Sequence, residues 1–102
     1  MKSVTTEKFR LLFASASPER QARIRNAYRQ WKENPAHPSL RFKKIHRRLP
    51  IYSARVDLDW RAVGLLEGDT LVWFWVGPHS LGRSAAQVVM KQTANNTIEP
   101  TR

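Results

Sequence analysis

The sequence predicts an α+β fold. A short N-terminal strand leads into a hairpin of two helices, then an antiparallel β-meander of three to four strands with the helices packed on one face. Three observations carry this prediction. Apolar residues recur at helical spacing, first as Phe9, Leu12 and Phe13 and then as Ile24, Tyr28 and Trp31. After the two-proline connector ENPAHPSL the apolar period falls to two. Gly68-Asp69 then lies between two apolar runs, as the centre of a two-residue hairpin does.

Taken in order, KSVT (residues 2–5) is the first strand. Thr5 or Thr6 caps the first helix, with Glu7 in its first turn. Ser17-Pro18 starts the second helix, because proline at the first helical position loses only an N–H that had no partner. That helix runs to about Asn34, where Asn-Pro stops it; the residue before a proline avoids helical backbone. RFKKI, IYSARVDL, WRAVGLL and TLVWFWV are the meander strands, with Phe42 and Lys44 on one side of the first. Residues 1–91 are expected to form one domain, and the polar residues 92–102 a disordered tail.

The Gly-Asp turn fixes a register. If Glu67 opposes Thr70, then Gly64 opposes Trp73, Ala62 opposes Trp75, Val63 opposes Phe74 and Leu65 opposes Val72. Each indole would thus meet a small partner. A turn centred on Leu58 sets Arg55 opposite Arg61. One sheet face then carries Tyr52, Ala54, Val56, Trp60, Ala62, Trp73 and Trp75 and receives the helices. The other carries Ser53, Arg55 and Arg61 at one end, then an apolar strip of Val63, Leu65, Val72, Phe74 and Val76. That strip needs a cover, expected from residues 84–90 or from a partner protein. The last strand is apolar on both faces, so an interior position is expected.

Charge narrows the class. The chain has 102 residues and a net charge of +10. All of it resides in residues 1–48, with 13 Lys/Arg against 3 Asp/Glu, whereas residues 49–102 are neutral with 5 of each. RFKKIHRR (residues 41–48) alone holds five cations and a histidine. Such a field favours a polyanion, either nucleic acid or an acidic protein segment. There is no cysteine, so disulfide and thiolate chemistry are excluded. His37, His46 and His79 lack metal-ligand spacing, and neither a metal nor a cofactor is expected. No run reaches the length of a membrane span, and MKSVTTEKFR lacks the apolar core of a signal peptide. A cytoplasmic protein without membrane contact is expected.

HPSLRFKKI followed by IYSARVDLDWRAVGLLEGDTLVWFWVGPHS resembles the RelE/ParE superfamily of toxins from bacterial type II toxin–antitoxin systems, most closely its RelE/HigB-like members. The resemblance rests on the His-Pro-Ser-Leu connector, the aromatic-Arg pair Trp60-Arg61 and the aromatic strand ending in Val-Gly-x-His, and it covers roughly residues 3–80. It implies the fold order given above. It also implies a metal-independent, ribosome-dependent endoribonuclease, an mRNA interferase that inhibits translation and is neutralised by a cognate antitoxin. Carried over by position, it implies catalytic roles for Arg55, Arg61 and His79. A second basic position of the family is Ser53 here, and the tyrosine many members carry shortly after the last strand is replaced by Ser80-Leu81-Gly82-Arg83. The alternatives are a toxin of the same fold that inhibits DNA gyrase, and an inactive relative that only binds RNA or antitoxin.

The residue types suit that chemistry. Metal-free RNA cleavage needs a base for the 2′-hydroxyl, stabilisation of the phosphorane charge and an acid for the 5′-oxygen. Arginine grips phosphate oxygens with a permanently charged planar fork, and histidine as a residue type titrates near neutrality. Arg41, Lys43, Lys44, His46, Arg47, Arg48 and Arg83 are the candidates for holding the RNA backbone. Val63, Leu65, Val72, Phe74 and Val76 are the candidates for an antitoxin helix. Ion pairing of Arg61 with Asp57 or Asp59 at the hairpin end is the competing reading of that arginine.

Overall fold

A computed structural model of the chain describes residues 1–81. In order they form β1 (Lys2–Thr5), α1 (Glu7–Ser15), α2 (Pro18–Glu33), a 3-10 turn (Pro38–Leu40), β2 (Lys43–Lys44), β3 (Ile51–Arg55), β4 (Trp60–Glu67), β5 (Thr70–Pro78) and a second 3-10 turn (His79–Leu81). The expected α+β order is what the chain adopts. The Thr6 side chain accepts from the Phe9 amide and that of Ser17 from the Arg20 amide, so both helices are capped. Each such cap is worth about 1 kcal/mol. His37 caps the connector turn, its Nδ1 accepting from the Ser39 amide.

The five strands lie in the order β1-β5-β4-β3-β2, antiparallel except for the parallel β1–β5 pair. β5 is therefore interior, as its two apolar faces require. Glu67 opposes Thr70 across the tight turn, and the positive φ there is confined to Gly68, the first central position, as a type II′ turn demands. Arg55 opposes Arg61. β2 is shorter than RFKKI because Arg41 leaves the connector turn in the left-handed region (φ 44°), which delays the extended backbone.

The helices cover one face. Phe9, Ile24 and Trp31 meet Ala54, Ala62, Leu71, Trp73 and Val76 in the main core. Trp31 stands edge-on to Trp73 (ring centroids 5.3 Å apart) and to Phe42 (5.8 Å), the geometry aromatic quadrupoles prefer. The Tyr28 hydroxyl meets Ser3 Oγ at 2.6 Å, which ties α2 to β1.

One part of the expected register is corrected. Gly64 opposes Trp73, but the next pair is Val63 with Trp75, followed by Ala62 with Val76. Phe74 is the extra residue of a β-bulge. Every residue beyond the bulge swaps faces, because side chains alternate strictly along a strand. Trp75 therefore leaves the helix side and packs with Phe74 on the second face, while Val76 enters the helix-side core at 1% exposure. Glycine makes room at both sites. A Cβ on Gly64 would lie 3.1 Å from the Trp73 ring, and one on Gly77 only 2.7 Å from the Trp75 ring.

The second face finds part of its cover within the described residues. Ile45 and Leu49, from the basic loop before β3, pack on the fully buried Ile51 and Val63. The expected cover from residues 84–90, the candidate Arg83 and the expected tail all lie outside the described residues.

Candidate active site

The site begins at the β3–β4 hairpin. Asp57 accepts from the amides of Asp59 and Trp60, both at 2.9 Å, and so folds the loop back on itself. Its carboxylate also pairs with Arg20 (3.4 Å) and Arg23 (3.5 Å) of α2, which anchors the hairpin to the helix layer. Burial pushes the Asp57 carboxyl up, but the two amide bonds and the Arg20 and Arg23 charges outweigh this and hold it below its ordinary value. The His79 amide donates to the Asp59 carbonyl at 2.6 Å, which fixes the end of β5 beside the hairpin.

These contacts leave an open groove of about 960 Å³ on the second sheet face. Its polar lining includes Lys43, Lys44, Ser53, Asp59, Arg61 and His79. Arg61 Nη1 donates to Ser53 Oγ at 2.8 Å, and Ser53 is itself buried. Arg61 thus bonds neither Asp57 nor Asp59; Asp57 is taken by α2, and Ser53 lies on the neighbouring strand. Burial first, then the charges of Arg55 and Arg41, lower the Arg61 pKa. A buried guanidinium whose charge is disfavoured by its surroundings is a place where an anion is favoured.

The expected site residues are only partly gathered. Arg61, His79, Lys43 and Lys44 share the groove. Arg55, although it opposes Arg61 in register, lines a second groove of about 450 Å³ between the hairpin and α2, with Arg23, Asn26, Gln30 and Ser39. Arg41 reaches Arg61 through its charge, from a backbone conformation uncommon outside glycine. His46 accepts from the Arg48 and Leu49 amides through Nδ1, so it organises the basic loop, whose Arg47 and Arg48 side chains are exposed.

The expected apolar strip is corrected as well. Val63 is fully buried and Val76 belongs to the helix-side core, so neither offers surface to a partner. Leu65, Val72 and Phe74 are half-buried, and the exposed Val4 of β1 stands beside Val72 in register. Sequence reasoning missed Val4, because a parallel partner strand leaves no turn to count from. It also placed Ser53 on the face of Arg55 and Arg61 and read it as the family's replaced basic residue, without its bond to Arg61. Among the described residues, no three His, Cys, Asp or Glu side chains converge as metal ligands, and no helix is long and apolar enough to cross a membrane.

No match was found among the curated proteins. Among solved structures, the YoeB/ParE toxin from Agrobacterium tumefaciens aligns with a TM-score of 0.61 at 19% identity, covering 78% of this chain and 99% of that one. The RelB-RelE antitoxin-toxin complex from Methanococcus jannaschii contains a chain with a TM-score of 0.64 at 16% identity, covering 80% and 96%. The RelE-RelB complex from Pyrococcus horikoshii OT3 gives 0.63 at 15% identity, with the same coverage. At these identities the likeness is one of fold. Residues 18–80 match the family model of the ParE-like toxin domain, well over half of the chain, and the protein belongs to that family.

Proposed function

We propose that this protein is the toxin of a toxin–antitoxin pair and that it arrests translation by cutting messenger RNA on the ribosome without a metal. The observation that carries the reading is Arg61, oriented by buried Ser53 in a groove that also presents Lys43, Lys44 and His79. In the reaction the ribose 2′-oxygen attacks the adjacent phosphorus and gives up its proton. The P–O5′ bond breaks, the 5′-oxygen takes a proton, and a 2′,3′-cyclic phosphate is left on the upstream fragment. Arg61 and the two lysines offset the charge that builds on the phosphorane oxygens. His79, at the rim, carries one of the two proton transfers, and Asp59 is the carboxylate available in the same groove for the other.

Inducing the protein in bacteria and mapping message 5′ ends tests this. New ends within coding sequence are expected, and they should disappear with Arg61→Ala. Arrested growth with intact messages would sink the proposal; an inhibited supercoiling assay would then place the target at gyrase. If neither target responds, the chain is an inactive binding relative.

The same reading includes an antitoxin. Structural neighbours from Methanococcus jannaschii and Pyrococcus horikoshii were solved as antitoxin-toxin complexes, which supports a cognate partner here. Leu65, Val72, Phe74 and Val4 beside the basic groove suit an acidic amphipathic helix. The expected cytoplasmic location belongs to this proposal too.

A further inference from the structure

We infer that single-stranded RNA crosses the tip of the β3–β4 hairpin, parted by Leu58, and that Arg55 holds a phosphate in the second groove, the one that Arg61 does not line. This rests on the reading of the protein as one that acts on RNA.

Leu58 is 79% exposed, more than any other large apolar side chain among the described residues. It lines both grooves. A wedge between bases needs an apolar side chain on a rigid mount. The mount is present: Asp57 ties the loop to α2 on one side, and the Asp59 carbonyl holds the His79 amide on the other.

The second groove carries nucleotide chemistry. Arg23 is engaged by Asp57, so Arg55 is its available cation; among the described residues the Arg55 side chain makes no ion pair or hydrogen bond. The amides of Asn26 and Gln30 and the Ser39 hydroxyl lie alongside. Each groove also holds one carboxylate, Asp59 in the first and Asp57 in the second. A run of Asp and Glu from an acidic peptide would meet Asp59 as a like charge, whereas Asp57 is already paired with Arg20 and Arg23. A nucleotide offers its phosphate to the cations and its base amino groups to Asp59 and the amides. Arg55 and Arg61 oppose each other in register, and their repulsion is relieved when each meets a phosphate of one bound strand.

The test uses the full chain and fluorescent 2′-O-methyl RNA, which binds but lacks the attacking hydroxyl, in lengths of about three and about eight nucleotides, spanning the usual range of short single-strand sites. The wild type should bind the longer strand about tenfold more tightly. Leu58→Ala and Arg55→Gln should each weaken the longer strand roughly five- to tenfold and leave the shorter unchanged. Thermal melts should match the wild type, since neither side chain belongs to a core. Wild-type affinity of both variants for the longer strand overturns the inference while leaving the active-site proposal standing. So does loss of binding to an acidic amphipathic peptide alone, which would make the second groove an antitoxin surface. If the wild type binds neither strand, the RNA reading fails and the inference fails with it.

Discussion

Arg61 spends one of its five N–H donors on Ser53 and keeps the rest for an anion in the groove. Its removal has two opposed effects on stability. Ser53 Oγ loses its partner in a buried place, but the repulsion from Arg55 and Arg41 is relieved. Arg61→Ala is therefore expected to change stability by no more than about 1 kcal/mol, while message cleavage on the ribosome falls by about 10² or more. A large drop in melting temperature would instead make Arg61 a structural residue. Ser53→Ala keeps the charge and loses only its aim, so cleavage should fall roughly tenfold with Arg61 still required. If Ser53→Ala cuts at the wild-type rate, the hydrogen bond does not orient the guanidinium. Trp60-Arg61 was legible in the sequence as a strand pair, and so was its opposition to Arg55. The Ser53 bond was not, because a register gives which residues face one another and not which side chains reach.

The hairpin and the bulge are the elements that place these residues. Asp57 holds the hairpin to α2, and its carboxyl is lowered from the ordinary value of 3.8. The sign follows from that direction. A carboxyl with a depressed folded-state pKa stabilises the fold above the unfolded value, and the contribution is lost as pH falls through the folded one. Asp57→Ala should cost about 1–3 kcal/mol near neutral pH, and the gap to wild type should close well below pH 3.8. Denaturant melts at both pH values check this; a gap independent of pH would assign the loss to packing. In β5, the Trp75 ring lies against Gly77, where a Cβ would approach to 2.7 Å. Gly77→Ala must displace the ring and should cost about 1–3 kcal/mol, read out as a red shift of tryptophan emission. Unchanged emission and stability would mean that the strand end yields instead. The bulge at Phe74 lay beyond the alternating pattern, since β5 is apolar on both faces and either register buries hydrophobic surface.

For the whole molecule, the field matters more than any pair. All ten net charges come from residues 1–48, and the fold sets Lys43, Lys44 and Arg61 around one groove. Three phosphate contacts imply a slope of roughly −2 for log affinity against log salt on a single strand, and a fourth at Arg55 implies roughly −3. Titrating a 2′-O-methyl RNA across salt concentrations measures this; a slope near zero would remove nucleic acid as the ligand. The charge total predicts that a polyanion binds, but only the fold decides which cations share a surface.

Periodicity, caps and turn residues by themselves determined the element order, the helix starts at Thr5 or Thr6 and at Ser17, the Gly68 turn and the Arg55–Arg61 pairing. Each is a local choice, made within a few residues of backbone. The tertiary structure alone decided that Trp75 and Val76 exchange faces, that Arg55 and Arg61 part into two grooves, and that Ser53 steers the arginine beside it. Those outcomes depend on contacts between residues distant in the chain, where a single extra residue in one strand reassigns every side chain beyond it.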